Sequence, residues 1–228
     1  MIRAERPPVV TLDGPSGTGK GTLGLRLAAR LSWHFLDSGA LYRVVGLLAK
    51  RRGVDLNDEA ALGRLAATLP VAFQTGVSET EIVVEGVIVT AAVREEATGE
   101  AASQVAAWPA VRLALVQRQH AFRRAPGLIA DGRDMGTVIF PDAELKIFLT
   151  ASPEIRAERR HKQLREKGFD VNLAQLLEDI RNRDERDFRR AVAPLKPAPD
   201  AEILDTTQLG IAEVEARVLQ LVHARGVA

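Results

Sequence analysis

Near the start of the chain the apolar side chains change rhythm. Val9, Val10 and Leu12 lie in an unbroken, β-branched stretch over 9–13, whereas Leu23, Leu27 and Leu31 recur every fourth position over 20–31 with small residues between them. That change of period predicts a buried strand, a tight turn and a helix. A second short strand is expected over 34–36, and Ser38 or Asp37 caps a helix running to about 52. A helix over 57–69 is stopped by Pro70. Three short β-rich runs follow, 71–75, 81–85 and 87–90, broken by Gly76 and Gly86. No helix between them is long enough for a parallel crossover, so they form a small antiparallel sheet. Helical pattern returns over 100–107, and Pro109 suits the first position of a helix reaching about 124. Residues 127–131 and 144–150 read as buried parallel strands. Ser152-Pro153-Glu154 starts a helix that Gly168 stops, another follows Asn172 to about 191, and 202–205 and 211–223 supply a last strand and helix. Strands alternating with helices on both sides of the insert predict an α/β fold with a doubly wound parallel sheet.

Composition narrows what such a fold can serve. The chain has 228 residues, 46% of them hydrophobic, enough for one substantial domain or for a core carrying an inserted subdomain. Lys and Arg number 31 against 30 Asp and Glu, so no overall field draws the chain to nucleic acid or membrane, and an anion site has to be a local cluster. The absence of cysteine excludes disulfides, thiolate chemistry and Cys-type zinc sites, and is compatible with a reducing cytosol. The four histidines, His34, His120, His161 and His223, lack a spacing suited to a metal, and no metal site held by the protein is expected. No run approaches the ~18 apolar residues of a membrane span, and MIRAERPPVV has no apolar signal core, so a soluble, cytoplasmic protein is expected.

Four stretches carry candidate chemistry. GPSGTGKGT, residues 14–22, follows the first strand, and Gly14, Gly19 and Lys20 occupy the fixed positions of G-x-x-x-x-G-K. Glycines there let successive backbone N–H groups converge on one phosphate at a helix N-terminus, and Lys20 reaches the outer phosphates. The standard pattern continues with Ser or Thr, whereas this chain has Gly21 and then Thr22; either Mg²⁺ is held mainly by water and phosphate, or Thr22 substitutes. In NLAQLLEDIRNRDERDFRRA the buried face marked by Leu173, Leu176, Leu177 and Ile180 continues through Arg183, Asp187 and Arg190. Those charges are either exposed i,i+3 and i,i+4 pairs or the lining of a polar cleft that grips phosphate and sugar oxygens. IADGRDMG, residues 129–136, ends a strand with two Asp and an Arg where open parallel sheets bind ligands, although Asp-Gly also simply forms turns. The basic run RAERRHKQLREK, residues 156–167, is either a solvated face or a lid that brings Arg to a transferring group.

GPSGTGKGT, HFLDSGALYR, ASQVAAWPAVR, LIADGRDMGTVIFPDA, KGFDVN and RDERDFRRAVAPL together resemble bacterial cytidylate kinases over nearly the whole chain. The GKGT form of the loop is usual among nucleoside monophosphate kinases, so Gly21 departs from the generic pattern but not from this family. The resemblance implies one kinase domain over 1–228: a core of 1–56 and 108–228, a nucleoside-monophosphate-binding insert of about 57–107, and a helical lid of about 156–170. It also implies transfer of the γ-phosphoryl of ATP to CMP or dCMP, with Mg²⁺ required.

Carried over, Gly14, Pro15, Ser16, Gly17, Thr18, Gly19, Lys20, Gly21 and Thr22 bind the ATP phosphates, with Arg156 and Arg159 of the lid completing the clamp. Ser103, Arg112 and Asp134 read cytosine, Arg183 and Asp187 hold the sugar, and Arg43, Arg133 and Arg190 the acceptor phosphate; Asp37 and Ser38 lie near the acceptor. Lys20, Arg133, Arg183 and Asp187 are the expected catalytic set. A monomer acting on small molecules is expected, with neither nucleic acid nor membrane as partner. A GTPase-type switch is disfavoured by the lack of an N-K-x-D guanine reader, and RNA binding by an aromatic content of 4%.

Overall fold

The computed structural model describes residues 6–75, 80–166, 168 and 170–227. The break expected at Gly76 lies outside them, as do Lys167 and Phe169 of the expected lid. In chain order the first elements are β1 (Val9–Asp13), α1 (Lys20–Leu31), β2 (His34–Asp37), α2 (Ser38–Arg51), α3 (Glu59–Ala67), β3 (Val71–Thr75), β4 (Thr80–Val84) and β5 (Val87–Ile88). There follow α4 (Thr90–Arg94), α5 (Glu96–Val105), α6 (Pro109–His120), β6 (Leu128–Gly132), β7 (Leu145–Thr150), α7 (Pro153–Glu166), α8 (Leu173–Arg189), β8 (Glu202–Asp205) and α9 (Ile211–Ala224). The chain divides into two compact units, Met1–Asp37 with Gln119–Ala228, and Ser38–Arg118.

The first unit holds a five-stranded sheet in the order β2-β6-β1-β7-β8, with every neighbouring pair parallel. All five residues of β1 and of β6 are buried, as expected of strands covered on both faces. On one face the evenly spaced Leu23 and Leu27 of α1 and Val214, Val218 and Val222 of α9 pack with Val10, Leu12, Ile129 and Ile147 into one apolar core. Register aligns Asp13 with Gly132 and Asp37 with Asp131, so three carboxylates gather at the carboxyl ends of adjacent strands. The doubly wound parallel sheet expected from alternation is the fold observed.

The second unit holds the antiparallel sheet β3-β4-β5, also as expected. The run expected as strand over 87–90 stops at Ile88, and Thr90 opens α4 instead, its hydroxyl accepting from the Ile82 amide at 2.9 Å. Helix α5 begins at Glu96 rather than near residue 100. This unit takes in α2 and most of α6 besides the 57–107 span, because α2 packs along α5, with Gly46 against Ala101. Among the described residues no helix is long and apolar enough to cross a membrane.

Candidate active site

The loop between β1 and α1 has the backbone that its glycines anticipate. Gly14 has φ +142° and Gly17 φ +83°, and a Cβ on Gly14 would run into the Leu149 carbonyl of β7. Lys20, the first residue of α1, is buried; its Nζ donates to the Pro15 carbonyl at 2.7 Å and to Thr18 Oγ1 at 3.3 Å, while the Thr18 hydroxyl donates to the same carbonyl at 3.1 Å. Thr22 is exposed on α1, whereas Gly21 faces Asp131: a Cβ there would lie 3.5 Å from Asp131 Oδ2.

Around Lys20 burial governs the charges. It pulls the ammonium down to about 7, with Arg133 acting in the same sense and Asp131 and Asp13 opposing. Burial pushes Asp131 up to about 7 against the pull of Lys20, and Asp13 up to about 7 against two backbone hydrogen bonds. Those bonds come from Met135 and Gly136, each donating to the Asp13 carboxylate at 2.8 Å. Asp13 thereby holds the π-helical turn Met135–Ile139 that follows Arg133 and Asp134, joining the phosphate loop to the GRDMG segment.

A second cluster forms where α8 meets that segment. Arg133 Nε donates to Asp187 Oδ2 at 3.0 Å, and Arg190 Nε donates to the Asp187 carbonyl at 3.4 Å. Asp187 is 3% exposed. Burial alone would raise its carboxyl, but Arg133, Arg183 and Arg190 together hold it below the usual carboxylate range. Burial disfavours the charge on Arg133 too, and Asp187 and Asp131 outweigh it, so its pKa stands above the ordinary value. The charged continuation of the α8 stripe is therefore the lining of a polar cluster rather than a row of exposed pairs. The apolar part is shorter than expected: Leu176 and Ile180 are buried, while Leu173 is 41% exposed next to the cap, where the Asn172 side chain accepts from the Ala174 and Gln175 amides.

Arg156 and Arg159, the expected cations of the lid, both make contacts close to the sheet. Arg156 is 2% exposed; it donates to the Ala151 and Ser16 carbonyls and to both carboxylate oxygens of Asp184. Arg159 donates to Thr206 Oγ1 at 3.1 Å and to the Thr206 carbonyl at 2.6 Å. Both lie in the first half of α7, close enough to the sheet to be held as anchors.

In the second unit, Ser38 is buried at the start of α2 and Ser103 on α5. Arg43 donates to the Val93 and Glu95 carbonyls at 3.0 and 3.2 Å and lies over Gly99, where a Cβ would be 2.8 Å from its terminal nitrogen. Arg112, buried on α6, donates to the Ala106 carbonyl at 3.2 Å and stacks over the Tyr42 ring at 5.7 Å. Asp37 is exposed at the end of β2 in the first unit and acts electrostatically on Asp131. Sequence reasoning passed over Asp13, Asp184 and Tyr42. The first had a signal, a lone carboxylate closing a β-branched run just before the glycine loop.

A glycine cradle and buried lysine at the switch between a central parallel strand and its helix place the chain among phosphate-loop nucleotide-binding proteins. The family model described as cytidylate kinase matches residues 10–224. The chain belongs to the cytidylate kinase family. A cytidylate kinase of Aeromonas hydrophila is 60% identical over 212 residues, covering 93% of this chain and 92% of that one. One from Stutzerimonas stutzeri is 60% identical over 223 residues, covering 97% of each. A solved structure of an uncharacterized protein from Eubacterium ventriosum is 10% identical, with a TM-score of 0.52 over 96% of this chain and 99% of that one, a likeness of fold alone.

Proposed function

We infer that the chain transfers the γ-phosphoryl of ATP to CMP and dCMP, giving the diphosphates by direct in-line displacement. The observation that carries this reading is the meeting, at the carboxyl end of the sheet, of Lys20 and its glycine loop with the cluster of Arg133, Arg183, Asp187 and Arg190. Such transfer needs little covalent help; it needs two anions held in line and their repulsion offset by fixed cations. In this reading residues 14–22 cradle the donor phosphates and Lys20 exchanges the Pro15 carbonyl for them. Arg133 and Arg190, with Arg43, take the acceptor phosphate, and Asp187 with Arg183 the sugar. Ser103 and Asp134 accept from the cytosine amino group and Arg112 donates to the ring carbonyl and N3, while Asp37 and Ser38 border the acceptor. The domain is one kinase unit whose lid, 156–170, is anchored at its base by Arg156 and Arg159.

Mg²⁺ fits the residues present. An ion of this kind keeps several waters readily and is held largely by water and phosphate. Asp131, beside Lys20 and facing Gly21, is the carboxylate placed to orient that water. When bound, the ion neutralises charge on the phosphates. The reading carries with it a cytoplasmic monomer working on small molecules.

The test is diphosphate formation across a panel of monophosphates in a coupled assay. CMP and dCMP are phosphorylated well and UMP at least ~10-fold less efficiently, because uracil offers a carbonyl where Asp134 accepts from an amino group. Equal turnover of UMP and CMP would remove Asp134 from base reading, and ATP consumption without any monophosphate would favour a hydrolytic switch.

A further inference from the structure

One buried ion pair has no part in the transfer just described. Arg156 sits in the first turn of α7, its Nε on the Ala151 carbonyl at 3.0 Å. One terminal nitrogen donates both to the Ser16 carbonyl at 3.1 Å and to Asp184 Oδ1 at 3.1 Å, and the other to Asp184 Oδ2 at 2.5 Å. Asp184 itself lies on α8, next to Arg183 and three residues before Asp187.

The peptide between Ser16 and Gly17 is planar and trans, so its carbonyl and its N–H point in opposite directions. Holding the Ser16 carbonyl towards Arg156 therefore aims the Gly17 N–H the other way, away from α7. The same peptide is fixed by packing, because a Cβ on Gly17 would lie 3.0 Å from Arg156 Cβ and 3.3 Å from its carbonyl oxygen. A guanidinium has five donors in a rigid fork, which lets Arg156 grip both Asp184 oxygens while it serves the loop; the single nitrogen of a lysine has no such fork.

We propose that Asp184 is a positioning residue for donor binding: by fixing Arg156 it sets the peptide between Ser16 and Gly17, and it ties the phosphate loop to the helix that carries Arg183, Asp187 and Arg190. The proposal rests on the reading of residues 14–22 as the donor-phosphate cradle and requires nothing of the acceptor. Replacing Asp184 by Asn keeps its volume but leaves the Arg156 charge buried without a counter-ion, so the guanidinium turns towards water and the Ser16 carbonyl loses its fixed donor.

The experiment is direct calorimetric titration of the intact chain with ADP, no acceptor present, together with KM for ATP and CMP and the melting temperature of each variant. Asp184→Asn weakens ADP binding and raises the ATP KM by about ten-fold, the scale of one charge-assisted hydrogen bond, while the CMP KM moves less than about two-fold. Asp184→Glu restores most of the ADP affinity. If Asp184→Asn does not fold, Arg156→Lys is read in the same way, since it keeps a charge for Asp184 and loses the fork. A lowered melting temperature with wild-type ADP affinity would reduce the pair to a structural one and overturn the proposal, as would a CMP KM that rises as much as that of ATP, or no rescue by Glu. A wild-type chain that binds no ADP overturns the donor-loop reading and this proposal together; normal wild-type binding with an unchanged variant overturns the proposal alone.

Discussion

Two buried charge clusters lie at the same end of the sheet, and they answer burial in opposite ways. Around Lys20 desolvation wins: the lysine is brought down, and Asp13 and Asp131 up, until all three titrate at about 7. Around Asp187 pairing wins, and the carboxyl and Arg133 move further from neutrality than in water. The difference lies in the company each charge keeps. Asp187 is flanked by three arginines, whereas the Lys20 charge is opposed by two of them, Arg133 and Arg183, and desolvation outweighs the pull of Lys20 on the two nearby carboxylates. A cluster whose charges sit near balance changes protonation when an anion arrives; one already committed to ions is fixed beforehand.

The sharpest break of that comparison is Lys20→Met. It is expected to lower kcat about 10²–10³-fold, the cost of losing one preorganised charge at the transferring group, with the CMP KM little changed in steady-state assays. ATP binding to the wild-type chain at pH 8 takes up protons as Lys20, near 7 in the free chain, becomes charged against phosphate, and this uptake, read from calorimetry in buffers of different ionisation heat, disappears in the variant. Asp187→Ala comes next. It leaves Arg133 and Arg190 without their carboxylate, raises the CMP KM by roughly 10–100-fold through one or two lost charge-assisted contacts, and leaves ATP affinity of the free chain nearly unchanged. If ATP binding collapsed as well, the two clusters would be one.

The smallest effect is on stability. Asp13 and Asp131 keep protons in the folded chain up to about 7 that the unfolded chain releases near 3.8, so their contribution is full below 3.8 and is lost as pH rises through 7. Lys20 works in the other window: its buried charge costs stability below about 7, and the cost lifts between there and 10.5. Asp13→Asn removes this titration and should flatten the fall in melting temperature between pH 4 and 7, but its amide cannot accept from both Met135 and Gly136 as the carboxyl does, so it melts below the wild type at pH 4. Parallel curves for the two proteins would show Asp13 already ionised.

Most of the frame was legible because its signals are local. The β-branched run before GPSGTGKGT, the evenly spaced Leu23 and Leu27, and the α8 stripe turning from Ile180 to Asp187 each follow from backbone period alone. What escaped depends on partners distant in sequence. Arg156 reads as one cation of a basic run, solvated or lid-forming, and its burial depends on Asp184, 28 residues on, and the Ser16 carbonyl, 140 residues back. Leu173 belongs to the stripe by spacing, yet it sits beside the cap, beyond the reach of the core. Thr90 has strand character by its β-branch, and its bond to the Ile82 amide turned it into a helix start.

Gly21 closes the question of the loop's unusual form on steric grounds. Its backbone is helical and a methyl there would meet Asp131 only at ordinary van der Waals distance, so the fold tolerates a larger residue at this position. The missing hydroxyl is thus a matter of chemistry rather than of space, and position 21 is open to engineering: a serine there would introduce a second oxygen facing Asp131 without moving the backbone.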